Sequence, residues 1–186
     1  MARINLINLE DMTSEQKAEY DRFPSNLFRG LLKTKKSTHG YAELGASLRD
    51  TYLSAKDREF AILRVAYMSN SDYELMQHRH LAIQQGWSAE DIDAIARNNY
   101  QYFDQRMAMI LNFIDECVSK VKVSKDTFEA TKKYLSEGEL AELTLLIGHY
   151  MMTGRFLETL EIDLDKTPTS WENVYLFLKN GGRSLL

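Results

Sequence analysis

Cysteine is almost missing from this 186-residue sequence: Cys117 is its one copy. An internal disulfide is therefore excluded, as is any CxxC redox or metal site within one chain, and a reducing compartment suits such a sequence. Proline is scarce as well, with Pro24 and Pro168 near the two ends. The long stretch between them lacks the strongest helix breaker, which predicts a mostly helical protein. Basic residues are not in excess, since 23 Lys and Arg stand against 27 Asp and Glu for a net charge of −4. Nothing at the level of the whole chain would neutralise phosphates, so nucleic acid is not expected as a partner. The cluster Lys33, Lys35 and Lys36 reads as a solvated face. Apolar runs of about 18 residues, the length of a membrane span, do not occur, and the first ten residues turn polar before a signal-peptide core could form. A cytoplasmic protein without membrane contact is the expectation. Histidine numbers four, at His39, His78, His80 and His149, with no HExxH and no ligand spacing, so no metal is expected.

What is present is helical periodicity punctuated by caps. A chain of this length supports one domain. Ser54 precedes a segment in which Phe60, Ile62, Leu63, Ala66 and Tyr67 recur at spacings of three and four, predicting a buried amphipathic helix that stops near Ser69-Asn70. Ser71-Asp72-Tyr73-Glu74 reads as a capping box that opens a second helix, ended by Gly86. Ser88-Ala89-Glu90-Asp91 repeats the signature for a short helix ending at Asn98-Asn99. A helix over 102–121 places Phe103, Met107, Ile110, Leu111, Ile114 and Val118 on one face. Ser124 begins another, and Ser136-Glu137-Gly138-Glu139 caps an apolar segment from Leu140 to Leu160 that is expected to be buried on nearly all sides. Its Glu142, His149 and Arg155 argue for a core or subunit interface over a bilayer.

Glu59, Ser71, Glu74 and His78 stand in the spacing E-x11-S-x2-E-x3-H, and four-residue separation puts Glu74 and His78 on one helix face. Each has a bland reading. Ser71 and Glu74 are accounted for by a cap; His78 can be a core histidine satisfied by Glu74; Glu59 can answer the helix dipole. Arg58-Glu59, Tyr73-Glu74-Leu75-Met76-Gln77-His78, Ala82, Gly86 and Ser88-Ala89-Glu90-Asp91-Ile92 together resemble the signature region of the carboxymuconolactone decarboxylase family. The stretches Asn26-Leu27-Phe28-Arg29-Gly30-Leu31 and Glu139 to Tyr150 are also similar to stand-alone members, so the resemblance covers most of the chain.

That resemblance implies an all-α, alkylhydroperoxidase-like helical bundle forming one domain over 1–186, with a core motif region 40–123 and a C-terminal helical region 124–186. It also implies a homo-oligomer, a trimer or a hexamer. Peroxide-reducing relatives carry E-x11-C-x2-C-x3-H, and this chain has Ser71 and Glu74 where they have cysteine. Neither side chain supplies a thiolate, so a peroxiredoxin-like activity is disfavoured. The decarboxylase branch is the better likeness. It implies a cofactor-free lyase acting on a small acidic or carbonyl compound, with His78 transferring a proton, Glu59 orienting and tuning it, and Tyr73 or Glu74 contacting substrate or relaying a proton. A redox role through Cys117 and a non-catalytic oligomeric scaffold are the alternatives.

Overall fold

A computed structural model of the protein describes residues 2–169. Among these residues there are nine α-helices, two short 3₁₀ turns and no strand, so the chain is all-α. They divide into two compact units.

One unit holds residues 2–50 and the described residues from 157 onward. Its helices are α1 (Ser14–Arg22), α2 (Asn26–Leu31) and α3 (Ser37–Ser47). Thr13 and Gln16 form a complete capping box at the start of α1. This pair obeys the same rule as the serine caps but stands ahead of a polar helix, where no apolar stripe draws attention to it. Phe23, Leu27, Phe28 and Leu31 form a small core, and Arg22 clamps Glu19 and Glu43 at 3.1 and 2.5 Å. The lysine cluster is exposed, as its charge requires.

The other unit, residues 51–156, contains α4 (Ala55–Met68), α5 (Asp72–Gln84), α6 (Ala89–Ala96), α7 (Gln105–Lys120), α8 (Lys125–Thr131) and most of α9 (Glu137–Thr159). At its centre lies α4, whose residues from Asp57 to Ala66 are all buried. Helices α5, α6 and α7 pack around it. Its apolar members Phe60, Ile62, Leu63 and Val65 are buried, as are Ile110, Leu111, Phe113 and Ile114 of α7 and Leu143, Leu146 and Ile147 of α9. The predicted caps at Ser54, Ser88 and Ser124 all accept the amide three residues ahead, and Ser136 and Glu139 complete a box. Gly86 ends α5 at φ +86°, a region glycine enters without strain. Asn70 and Asn98 end α4 and α6 at φ 50° and 57°, where asparagine is better tolerated than branched residues.

Two sequence expectations need correction. Ser71 does not cap α5 through its side chain: its ψ of 95° departs from the 149–167° of the serines that do, Ser25, Ser54, Ser88 and Ser124. Segment 140–160 is not buried on all sides. Leu140, Leu143, Leu146, Ile147 and Leu157 are buried, whereas Leu145 and Met152 are 50% and 46% exposed. A segment apolar on most of its sides cannot reveal which of its faces has a neighbour within its own chain.

Candidate functional site

A helix buried from end to end would normally carry only apolar residues, yet α4 buries Asp57, Arg58, Glu59 and Arg64. Taking a charge out of water costs several kcal/mol even after relaxation, so each needs a partner. Two of the four are structural ties to α7. Arg106 grips Asp57 through two hydrogen bonds of 2.9 and 2.6 Å. Arg64 grips Asp115 at 2.6 and 3.1 Å and also donates to the Ile95 carbonyl at the end of α6. Tyr100 donates to Asp115 from the third side. Such bidentate geometry holds helices in register.

Glu59 is different, because it turns to α5. Its Oε2 lies 2.8 Å from His78 Nδ1, and both residues are sealed from solvent, at 1% and 2% exposure. Arg58 Nε lies 3.6 Å from the other oxygen of Glu59. On the far side of the imidazole, Glu74 Oε2 is 3.6 Å from His78 Nε2, an ion-pair distance too long for a hydrogen bond. The histidine therefore stands between two carboxylates, bonded to one and beside the other. Glu59 sits on the fifth residue of its helix, beyond the first turn, so the helix dipole does not account for it.

Tyr73 is buried at 2% exposure and Gln77 at 3%. They follow one another by one turn on α5, parallel to the Glu74–His78 pair. The structure thus brings Glu59, Glu74 and His78 within contact and buries Tyr73 on the same helix. His80 falls off this face, His39 pairs with Glu19 at 2.6 Å, and no group of three metal-ligating side chains occurs among the described residues.

Sequence reasoning missed Tyr150. Its ring meets the edge of His78 at 5.1 Å and 87°, and His149 packs on its other side at 5.3 Å. Tyr150 reaches the site because α9 runs close to the turn before α5: a Cβ added at Gly154 would stand 3.4 Å from Ser69 Cβ. Seventy-two positions separate Tyr150 from His78, and no local pattern signals such a contact.

The tautomer follows from the geometry. With Nδ1–H donated to the Glu59 carboxylate, Nε2 is the ring nitrogen on the Glu74 side, where a proton can be exchanged. The carboxylate orients the ring and stabilises an imidazolium when one forms, the part a buried acid plays behind a catalytic histidine. Cys117 lies on α7, buried, and burial pushes its thiol up from the ordinary value. A thiol so placed is a poor nucleophile.

Residues 36–113 match the carboxymuconolactone decarboxylase family, a span that contains Glu59, Tyr73, Glu74 and His78. The curated proteins contain no match to this sequence. Among solved structures the chain is similar to an uncharacterized peroxidase-related protein with an alkylhydroperoxidase AhpD core from Ralstonia eutropha JMP134, at TM-score 0.75 and 16% identity over 93% of this chain and 94% of that one. It is similar to the debrominase Bmp8 in complex with 2,3,4-tribromopyrrole, at TM-score 0.72 and 10% identity over 95% and 96% of the two chains. A third is an uncharacterized peroxidase-related protein from Silicibacter sp. TM1040, at TM-score 0.62 and 16% identity over 69% and 70%. At these identities the likeness establishes the alkylhydroperoxidase-like fold.

Proposed function

We propose that this chain, whose residues 36–113 match the carboxymuconolactone decarboxylase family, is a cofactor-free lyase acting on a small acidic or carbonyl compound, with His78 moving the proton. The observation that carries this reading is the 2.8 Å Glu59–His78 pair with Glu74 on the opposite ring nitrogen. A structural pair needs only one carboxylate, and the second one, Glu74, is what a proton relay requires.

The reaction suited to this arrangement is loss of carbon dioxide from a carboxylated lactone. The C–C bond to the carboxylate breaks, and its electron pair delocalises through the ring onto the lactone carbonyl oxygen. The imidazolium of His78 then delivers a proton from Nε2 to the carbon α to that carbonyl, which yields the enol lactone. Glu59 holds the ring through Nδ1 during the transfer, and Glu74, taking up a proton from water, passes it to Nε2 to restore the imidazolium for the next turnover. Tyr73, buried on the same helix, is assigned to substrate contact.

Cys117 is a weak candidate for the redox alternative, since its thiol is buried and pushed up. We also propose that the protein is a cytoplasmic homo-oligomer, a trimer or hexamer, that uses the outward face of α9. Leu145 and Met152 lie exposed there, one to two turns apart beside Gly148. No helix of the described residues is long and apolar enough to cross a membrane.

The test follows carboxymuconolactone by absorbance with purified wild type and His78→Ala. General acid–base catalysis contributes roughly 10²- to 10⁴-fold, so the variant is expected to lose activity by that factor while remaining folded. A wild type that leaves the lactone untouched would overturn the reading and favour a non-catalytic scaffold.

A further inference from the structure

The cap serines of this protein behave alike with one exception. Ser25, Ser54, Ser88 and Ser124 each accept the backbone amide three residues ahead, at 3.2, 3.0, 3.1 and 3.2 Å. Ser71 precedes the 13-residue helix α5, spells the same signature, and makes no side-chain cap bond. Its exposure is 0%, and its Oγ has no hydrogen-bond partner. A buried hydroxyl without a partner is costly and uncommon. The glutamate that would have completed a box with it, Glu74, points to His78 instead.

The position of this hydroxyl gives it a direction. Along a helix, positions three and seven residues on return to nearly the same face. Ser71, Glu74 and His78 therefore form one stripe of α5, with exposures of 0%, 4% and 2%. Ser71 and His78 are about 10 Å apart along the axis at 1.5 Å per residue. The stripe begins at the positive end of the helix dipole, which favours negative charge. The second residue in line is the carboxylate beside the imidazole.

We propose that the Ser71 hydroxyl is a ligand-binding group of the His78 site, donating a hydrogen bond to a negatively charged oxygen of a small substrate, a carboxylate or the enolate oxygen that develops as it reacts. This inference rests on the lyase reading for the chemistry of the ligand. It adds a residue whose role is recognition: the substrate's oxygen is held at the N-terminal end of α5 while its reacting carbon faces the imidazole one to two turns along. The Ser71 backbone, at ψ 95°, holds the hydroxyl out of the cap, which leaves it for the ligand.

A substitution separates this role from a structural one. The purified full chain and its Ser71→Ala variant are titrated calorimetrically with 5-oxotetrahydrofuran-3-carboxylate, a saturated lactone carboxylate unable to decarboxylate through a conjugated ring, and with its uncharged methyl ester. Melting temperatures are read in parallel. The expected result is binding of the acid in preference to the ester, a loss of roughly 10- to 100-fold in affinity on Ser71→Ala, the range for a hydrogen bond to a charged group, and an unchanged or raised Tm. The proposal is overturned if Ser71→Ala melts several degrees lower or does not fold, because the hydroxyl then serves the fold. It is equally overturned if affinity stays within twofold, as for a hydroxyl satisfied by water, or if the wild type binds neither compound. Turnover of carboxymuconolactone is read separately. Turnover that survives Ser71→Ala sinks this inference and leaves the lyase reading standing, whereas Ser71-dependent binding without any turnover does the reverse.

Discussion

Replacing Glu59 by glutamine keeps the shape of the side chain and removes its charge, and the surrounding geometry sets how much that should cost. The amide oxygen can still accept from His78 Nδ1 at the 2.8 Å position of Oε2. Its NH₂ group then falls where Oε1 now stands, 3.6 Å from Arg58 Nε, so that one donor faces another. A charge-assisted hydrogen bond contributes about 1.5–3 kcal/mol and a neutral one about half as much. Weakening the His78 bond and opposing Arg58 together predict a loss of about 2 kcal/mol. For a chain of this size each kcal/mol lowers Tm by roughly 2–4 °C, so the melt should fall by roughly 4–8 °C. The assay is thermal unfolding by circular dichroism, with ¹⁵N chemical shifts of the His78 ring recorded on the same samples. The wild type should carry its proton on Nδ1, and the variant should show a mixture of tautomers. A Glu59→Gln protein that melts at or above the wild-type temperature with an unchanged ring spectrum would refute the reasoning, because Glu59 would then not be the partner that fixes the histidine.

Other consequences are cheaper to check. Cys117 is buried with its thiol pushed up by burial, so iodoacetamide should label the native protein slowly and the unfolded protein at once, as intact mass would report; fast native labelling would revive the redox alternative. The Ser124 backbone N–H, donating to Glu116 at 2.7 Å, joins Lys120 in holding the Glu116 carboxyl down at about 2 from 4.5. A depressed carboxylate stabilises above its unfolded pKa, so the Tm advantage of wild type over Glu116→Gln should be full above pH 5 and vanish as pH falls toward 2. A pH-independent difference would count against that assignment. Arg64→Leu should be severely destabilising, by about 3–5 kcal/mol, because Asp115 is left without its bidentate partner; a urea midpoint close to that of wild type would contradict it.

How far the sequence could be read depended on whether the deciding contact was local. The caps at Ser54, Ser88, Ser124 and Ser136 fall where the spacing predicts because a cap involves four adjacent residues and nothing else. Ser71 broke the rule because its backbone, at ψ 95°, departs from the 149–167° of the serines that cap, an angle that four residues of sequence do not carry. Glu59 and His78 lie 19 positions apart on different helices, so neither periodicity nor spacing paired them; the family likeness did. Tyr150 and Arg58 were not assigned to the site because their contacts depend on how α9 and α4 are rotated in the packed unit. The exposed face of α9 was unreadable for the same reason, since Leu145 and Leu146 look alike in sequence and differ in which way they point.

The claim that His78 carries the proton is tested most directly by running the lactone reaction in deuterium oxide and following the product by proton NMR. Wild type should consume carboxymuconolactone and place one deuteron on the carbon α to the lactone carbonyl, and His78→Ala should form product roughly 10²- to 10⁴-fold more slowly. Undiminished, deuterium-labelled product from His78→Ala would contradict the account, because some other group would then be delivering the proton.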